Sequence, residues 1–254
     1  DWGRLNTIKD INDDKIRFNS PKIKLHEDSL DKEEQIDVNW DEATSKAASH
    51  LKKYDSSEIM FVASAFSTLE DNYSLKKFAK EIFNSDNIFY IPSIDESFGD
   101  DILRRSDKTP NSNGLKLLGI KEYSRQIFEI LSSGKIKFLY ILNEDISILN
   151  DSASFLKNIQ SSVQQITYIN EYSSNANVIF PVSSYAEING TFVNFQNRIQ
   201  RVRPAVTTLE QERLIGEFQL SRWDKMGAHN DRWTHGTKFN ARPGWKIISQ
   251  LAKV

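Results

Sequence analysis

The stretch from Ile179 to Pro204 reads I-F-P-V-S-S-Y-A-E-I-N-G-T-F-V-N-F-Q-N-R-I-Q-R-V-R-P. It opens inside a short apolar run, Val178 to Val182, which predicts a buried strand. A polar turn follows, with Gly190 as its glycine. Beyond it come β-prone Thr191, Phe192 and Val193, then arginines at 198, 201 and 203. A buried strand that delivers a glycine turn and a basic strip is the layout of an anion-facing loop in an α/β protein, because backbone N–H groups are free at such a turn.

Working outward, the same punctuated apolar runs recur upstream. Glu58 to Ala65, Asn87 to Ile91, Lys135 to Leu142 and Gln165 to Ile169 read as strands. Between them lie helical patterns. The residues after Asn39-Trp40-Asp41-Glu42 start one, with Asn39 or Asp41 as cap and Ala43, Ala47, Ala48 and Leu51 on one face. A second begins between Ser67 and Asp71 and carries Leu75, Phe78, Ala79 and Ile82. Ser124 to Leu131 is a third, stopped by Gly134, and Ser154 to Ile159 a fourth. Five strands alternating with helices predict an α/β fold, a doubly wound, mostly parallel, Rossmann-like sheet. Residues 1–39 are expected as an irregular lead-in, 40–205 as the α/β domain and 206–254 as a tail with a closing helix.

Bulk properties narrow the function. With 254 residues and a mean hydropathy of -0.53, the chain is long enough for one large or two small cores. A net charge of -2 gives no global reason to bind nucleic acid or an anionic membrane. The absence of cysteine excludes disulfides, thiolate nucleophiles and cysteine-ligated iron–sulfur clusters in this chain. No apolar run approaches the roughly 18 residues of a membrane span, so a cytoplasmic chain is expected. It opens at Asp1 rather than at a methionine, as a fragment or processed product would.

Several chemistries lack their signatures. The turn Ala63-Ser64-Ala65-Phe66-Ser67 has no G-x-G-x-x-G, so a dinucleotide is not expected there. Asp95, Glu96, Asp100 and Asp101 lack the alternating oxygen spacing of a calcium loop. Ser183 and Ser184 sit in no G-x-S-x-G elbow, which leaves a free-standing hydrolase without support. His26 and His50 read as surface residues. In the tail, His229 and His235 with Asp224 and Asp231 match no metal-ligand spacing. Arg222, Trp223, Arg232 and Trp233 fit an interface anchor better, because aromatic and arginine side chains concentrate binding energy. Packing on their own domain is the equal alternative.

Pro181 to Glu187, Asn189 to Asn194 and Asn197 to Gln200 together resemble the "LPAAAYAEKDGTFVNTEGRVQ" signature of the molybdopterin oxidoreductase superfamily. The branch most resembled is the large iron–sulfur subunit of NADH:quinone oxidoreductase, respiratory complex I. Arg104 to Gly114 is similar to its "RRADKSPNTRGAELLGL", Asn72 to Ile88 to "ENYLLQKLARALGTNNI" and Lys135 to Asp145 to "GKIKALYVLGEDP". That last segment has Asn143 where the family has glycine. Ala241 to Ile248 is similar to the closing "ARPDWKIL" helix, which implies Trp245 as a core anchor.

The resemblance implies a non-catalytic structural domain of the peripheral arm that has lost its molybdopterin and packs against neighbouring subunits. It would reach the membrane only through the complex, with iron–sulfur clusters in a preceding region or in partner subunits. The alternative it implies is a retained ligand site, in which Asn189, Gly190, Thr191, Asn194, Arg198 and Arg201 hold a pterin dinucleotide or another phosphate compound. Against it stands the expectation that these arginines form surface ion pairs.

Overall fold

The computed structural model describes residues 17–25, 35–100, 102–211 and 238–254. The elements are β1 (Lys22–Lys24), β2 (Gln35–Asp37), α1 (Trp40–Leu51), β3 (Ile59–Ala63), α2 (Leu69–Phe83) and β4 (Ile88–Tyr90). They continue through α3 (Ser112–Leu117), β5 (Lys121–Glu122), α4 (Arg125–Ser132), β6 (Phe138–Leu142), α5 (Ser152–Leu156), β7 (Ser161–Ile166) and β8 (Val178–Pro181). Two further strands, β9 (Gly190–Val193) and β10 (Ile199–Val202), form a separate hairpin, and α6 (Gly244–Leu251) closes the chain.

The main sheet runs β2-β1-β8-β7-β6-β3-β4-β5. Strands β3 to β8 are parallel, whereas β1 pairs antiparallel with both β8 and β2. The parallel part has the 3-2-1-4-5-6 order of a doubly wound sheet, with its switch point between β3 and β6. The fold class is therefore as the alternating pattern predicts. The sheet is larger than five strands because three-residue strands escape periodicity: β1 and β2 lie in the expected lead-in yet extend the main sheet.

Both faces are covered. One apolar layer joins Trp40, Leu51, Phe61, Leu75, Phe78, Tyr140 and Ile248. The other joins Val62, Phe89, Leu131, Leu139, Ile141 and Phe155. Trp40 secures α1 to the sheet by stacking on Phe180, with ring centroids 5.8 Å apart. Asn39 caps α1 by accepting a hydrogen bond from the Glu42 N–H at 2.8 Å.

Two expectations are corrected. His50 is not a surface residue: it is 2% exposed, and its Nδ1 lies 2.9 Å from the Ser161 hydroxyl at the start of β7. A polar partner inside the fold compensates its burial. Trp245 is not a core anchor, since it is 40% exposed while Ile247, Ile248 and Leu251 carry the inward face of α6.

Candidate functional site: the switch-point cleft

The site is built from the turn that links β3 to α2. Ser64 donates its N–H to Asn72 Oδ1 at 3.1 Å, and Asn72 Nδ2 returns hydrogen bonds to the carbonyls of Ser64 and Thr68, each at 2.9 Å. Thr68 caps α2 in a reciprocal box. Its hydroxyl oxygen accepts from the Asp71 N–H at 3.1 Å, and Asp71 Oδ2 accepts from the Thr68 N–H at 3.2 Å. Burial pushes the Asp71 carboxyl above its ordinary range, against the opposing pull of hydrogen bonds from Thr68 and the Trp245 N–H.

The hairpin settles onto this turn. Thr191 donates its N–H and its hydroxyl to the Glu70 carboxylate at 2.8 and 2.6 Å. Val193 donates its N–H to Asn111 Oδ1 at 2.9 Å, and Asn111 is tied back to Ala65 and Ser67. Gly190 is required by this close approach: a Cβ there would lie 2.6 Å from Thr68 Cγ2 and 3.0 Å from Glu70 Oε2. In a doubly wound sheet this helix N-terminus is where a pyrophosphate is received. Here a pyrophosphate would meet the Glu70 and Asp71 carboxylates and would have to displace the Gly190 turn. The α2 N-terminus does not fit that group.

Beside the turn, above the ends of β6 and β7, lies a cleft of about 930 Å³. Its walls include Ile166, Ile188, Phe192 and Val202, with Phe66 and Tyr185 at 42% and 60% exposure. Asn143 takes the left-handed conformation, φ 43°, where the resembled segment has glycine. Asparagine tolerates that region, and Asn143 Oδ1 accepts from the Thr167 N–H at 3.1 Å. Glu144, 6% exposed, lines the same cleft. Burial pushes its carboxyl up to about 8, against the opposing pull of the Asp145 N–H and the Ser64 side chain. A carboxyl so placed is protonated at neutral pH and can donate a hydrogen bond.

The residues singled out from sequence divide in two. Asn194 and Arg201 line the cleft, whereas Gly190 and Thr191 face the α2 turn. Asn194 Oδ1 shapes the hairpin turn by accepting from the N–H groups of Gln196 and Arg198. The arginines do not form the expected ion pairs among the described residues. Arg201 instead donates Nε and an Nη to Asn189 Oδ1, both at 3.2 Å, and Arg198 is exposed. Of the acidic loop residues, Asp95 pairs with Lys108 at 2.8 Å, and Asp100 accepts from the N–H groups of Ile102, Leu103 and Arg104. His26, Arg222, Trp223, Asp224, His229, Asp231, Arg232, Trp233 and His235 lie outside the described residues. Phe66, Glu144 and Tyr185 were not legible as site residues, because each sits at a strand end that only the folded sheet brings to the crevice.

Residues 117–213, from α3 through the hairpin, match the molybdopterin oxidoreductase family model. Over this segment the chain is similar to the molybdopterin oxidoreductase family. It is similar to F420-dependent formate dehydrogenase 2 subunit alpha of Methanococcus maripaludis, 31% identical over 47% of this chain and 17% of that one. The F420-dependent formate dehydrogenase subunit alpha of Methanocaldococcus jannaschii is 31% identical over 59% of this chain and 20% of that one. A putative formate dehydrogenase of Bacillus subtilis is 31% identical over 33% of this chain and 9% of its own length. The domain thus spans a fifth or less of these curated relatives, which are formate dehydrogenases rather than complex I subunits. Among its described residues, no helix is long and apolar enough to cross a membrane.

Proposed function

We propose that this domain is a non-catalytic assembly module of a larger redox complex, of the kind represented by the large iron–sulfur subunit of NADH:quinone oxidoreductase. The observation that supports this reading is the contact of Thr191 with Glu70, at 2.8 and 2.6 Å, across the α2 N-terminus. It fills the usual pyrophosphate position with the chain's own hairpin and a carboxylate. Electron transfer then belongs to iron–sulfur and flavin subunits that the module holds together, and membrane association is indirect.

A second reading is favoured by the formate dehydrogenase relatives and by the 930 Å³ cleft: a domain that still holds part of a pterin dinucleotide. Asn194, Arg201 and the Glu144 carboxyl would then be the contacting groups, with the bound group supplying the redox chemistry.

The two separate on affinity purification of the tagged chain from its own cells. The assembly module elutes with iron–sulfur and flavin subunits, and the eluate neither contains stoichiometric molybdenum nor reduces a viologen dye with formate. Molybdenum together with formate-dependent dye reduction would replace the first reading by the second.

A further inference from the structure

The β9–β10 hairpin has one edge that is used and one that is not. On β9, the N–H groups of Thr191 and Val193 point away from β10, since they donate to Glu70 and Asn111. Their register partners are Arg201 and Ile199. In an antiparallel ladder, residues opposite such outward-facing groups are the non-hydrogen-bonded pairs, so Ile199 and Arg201 also turn their N–H and C=O groups outward, on the other side. Among the described residues nothing pairs with that edge, because β10 neighbours β9 alone.

The edge is chemically marked. Arg198, Arg201 and Arg203 are exposed along it, and among the described residues none has an acidic partner. Ile199 is 70% exposed and Phe195, in the hairpin turn, 57%. The opposite face of the strand, with Phe192 and Val202, borders the switch-point cleft. An open edge next to an apolar cleft is a template for strand addition. β10 is only four residues long, and its arginines give the open edge a single sign of charge that an acidic strand would complement.

We propose, on the assembly reading above, that the free edge of β10 receives an extended acidic segment of a partner protein, added as a third strand beside Ile199 and Arg201. Main-chain hydrogen bonds to these two residues set its register. Acidic side chains on one face of the added strand meet Arg201 and Arg203, and those between them turn toward the cleft side, where Arg198 lies. A nucleic acid would satisfy the arginines but not the main-chain groups, so pairing at Ile199 distinguishes the two.

The test uses the full chain and a fluorescein-labelled octapeptide of alternating glutamate and valine, read by fluorescence anisotropy. Ile199→Pro removes one outward N–H and leaves the β9 ladder intact, a substitution that edge strands accept. Ile199→Thr keeps the N–H. The expected result is binding by the wild type and by I199T, at least a tenfold loss in I199P, and weakening as salt rises. The double charge reversal Arg201→Glu with Arg203→Glu, at exposed positions on one face, serves if I199P fails to fold, and it too loses at least tenfold.

No binding by the wild type, equal binding by I199P, unaffected binding by the charge-reversed chain, or equal binding of a single-stranded DNA octamer would each overturn the proposal. The assembly reading fails separately. A chain that binds the peptide but co-purifies with no subunit sinks that reading alone, whereas subunits retained by I199P sink only the strand-addition proposal.

Discussion

The carboxylate of Asp71 joins the first turns of two helices: its Oδ1 accepts the Trp245 N–H of α6 at 2.7 Å while its Oδ2 closes the Thr68 capping box of α2. Gly244 permits this approach, since a Cβ there would lie 3.0 Å from Asp71 Oδ1 and 2.9 Å from Leu142 Cδ1. The chain's last helix is thereby fixed against the turn that would otherwise receive an anion.

Asp71→Ala leaves the N–H groups of Thr68 and Trp245 without this acceptor. Each lost buried partner costs about 1–3 kcal/mol. A drop of about 2–4 kcal/mol in unfolding free energy is expected in urea. A loss below about 0.5 kcal/mol would show that the carboxylate does not hold α6.

Glu144 gives a pH dependence of definite sign. Its folded carboxyl is raised to about 8 by burial, so the folded chain holds a proton that the unfolded chain releases near pH 4.3. Its contribution to stability is present below the unfolded value and is lost as pH rises from there to about 8. Glu144→Gln removes this loss. The variant should gain on the wild type between pH 5 and 8, by roughly 1.4 kcal/mol for each pH unit climbed. Urea midpoints that keep a constant difference over that range would contradict it.

Gly190→Ala forces a methyl against Thr68 and should cost about 1–3 kcal/mol. Thr68→Ser deletes the Cγ2 that the methyl strikes first while keeping the capping hydroxyl, so it should recover part of the loss. Additive losses in the double variant would mean that the two residues are not in contact.

Arg17 and Glu187 form a two-pronged buried ion pair, at 3.1 and 2.9 Å, with both side chains 1% exposed. Arg17 also lies over the Phe239 ring, 4.1 Å from its centroid, which brings the lead-in, the loop after β8 and the tail together. Removing one charge with Glu187→Gln should cost about 3–5 kcal/mol. Arg17→Met combined with Glu187→Leu should cost less than Glu187→Gln alone, as measured by thermal unfolding. A double variant worse than the single would show the charge itself to be stabilising.

The doubly wound core was legible because β3 and β6 are runs of five buried apolar residues and α1 and α2 carry their caps in sequence. The sequence pattern places the start of β7 at Gln165, four residues after its actual start at Ser161. It is buried throughout, yet it begins with two serines and contains two glutamines, whose burial depends on partners such as His50, Asn177 and Tyr140. Lys22 to Leu25 reads as a short β-like run within the lead-in, but its place in the sheet is not legible, because Lys22 and Ile23 find their register on Ile179 and Val178, more than 150 residues away. Gly190 was recognised from its turn, but its role was not. It serves contact with Thr68 and Glu70, which only the folded chain shows. The same holds for Trp245, whose exposure follows from α6 burying Ile247 and Ile248 instead.

The most direct measurement is native mass spectrometry of the wild-type chain purified gently from its own cells. The expected spectrum shows the chain bound to iron–sulfur and flavin subunits, with no additional nucleotide-sized mass on this polypeptide. A chain that arrives alone and carries a mass the size of a pterin dinucleotide would contradict the assembly role and place the ligand in the cleft lined by Asn194 and Arg201.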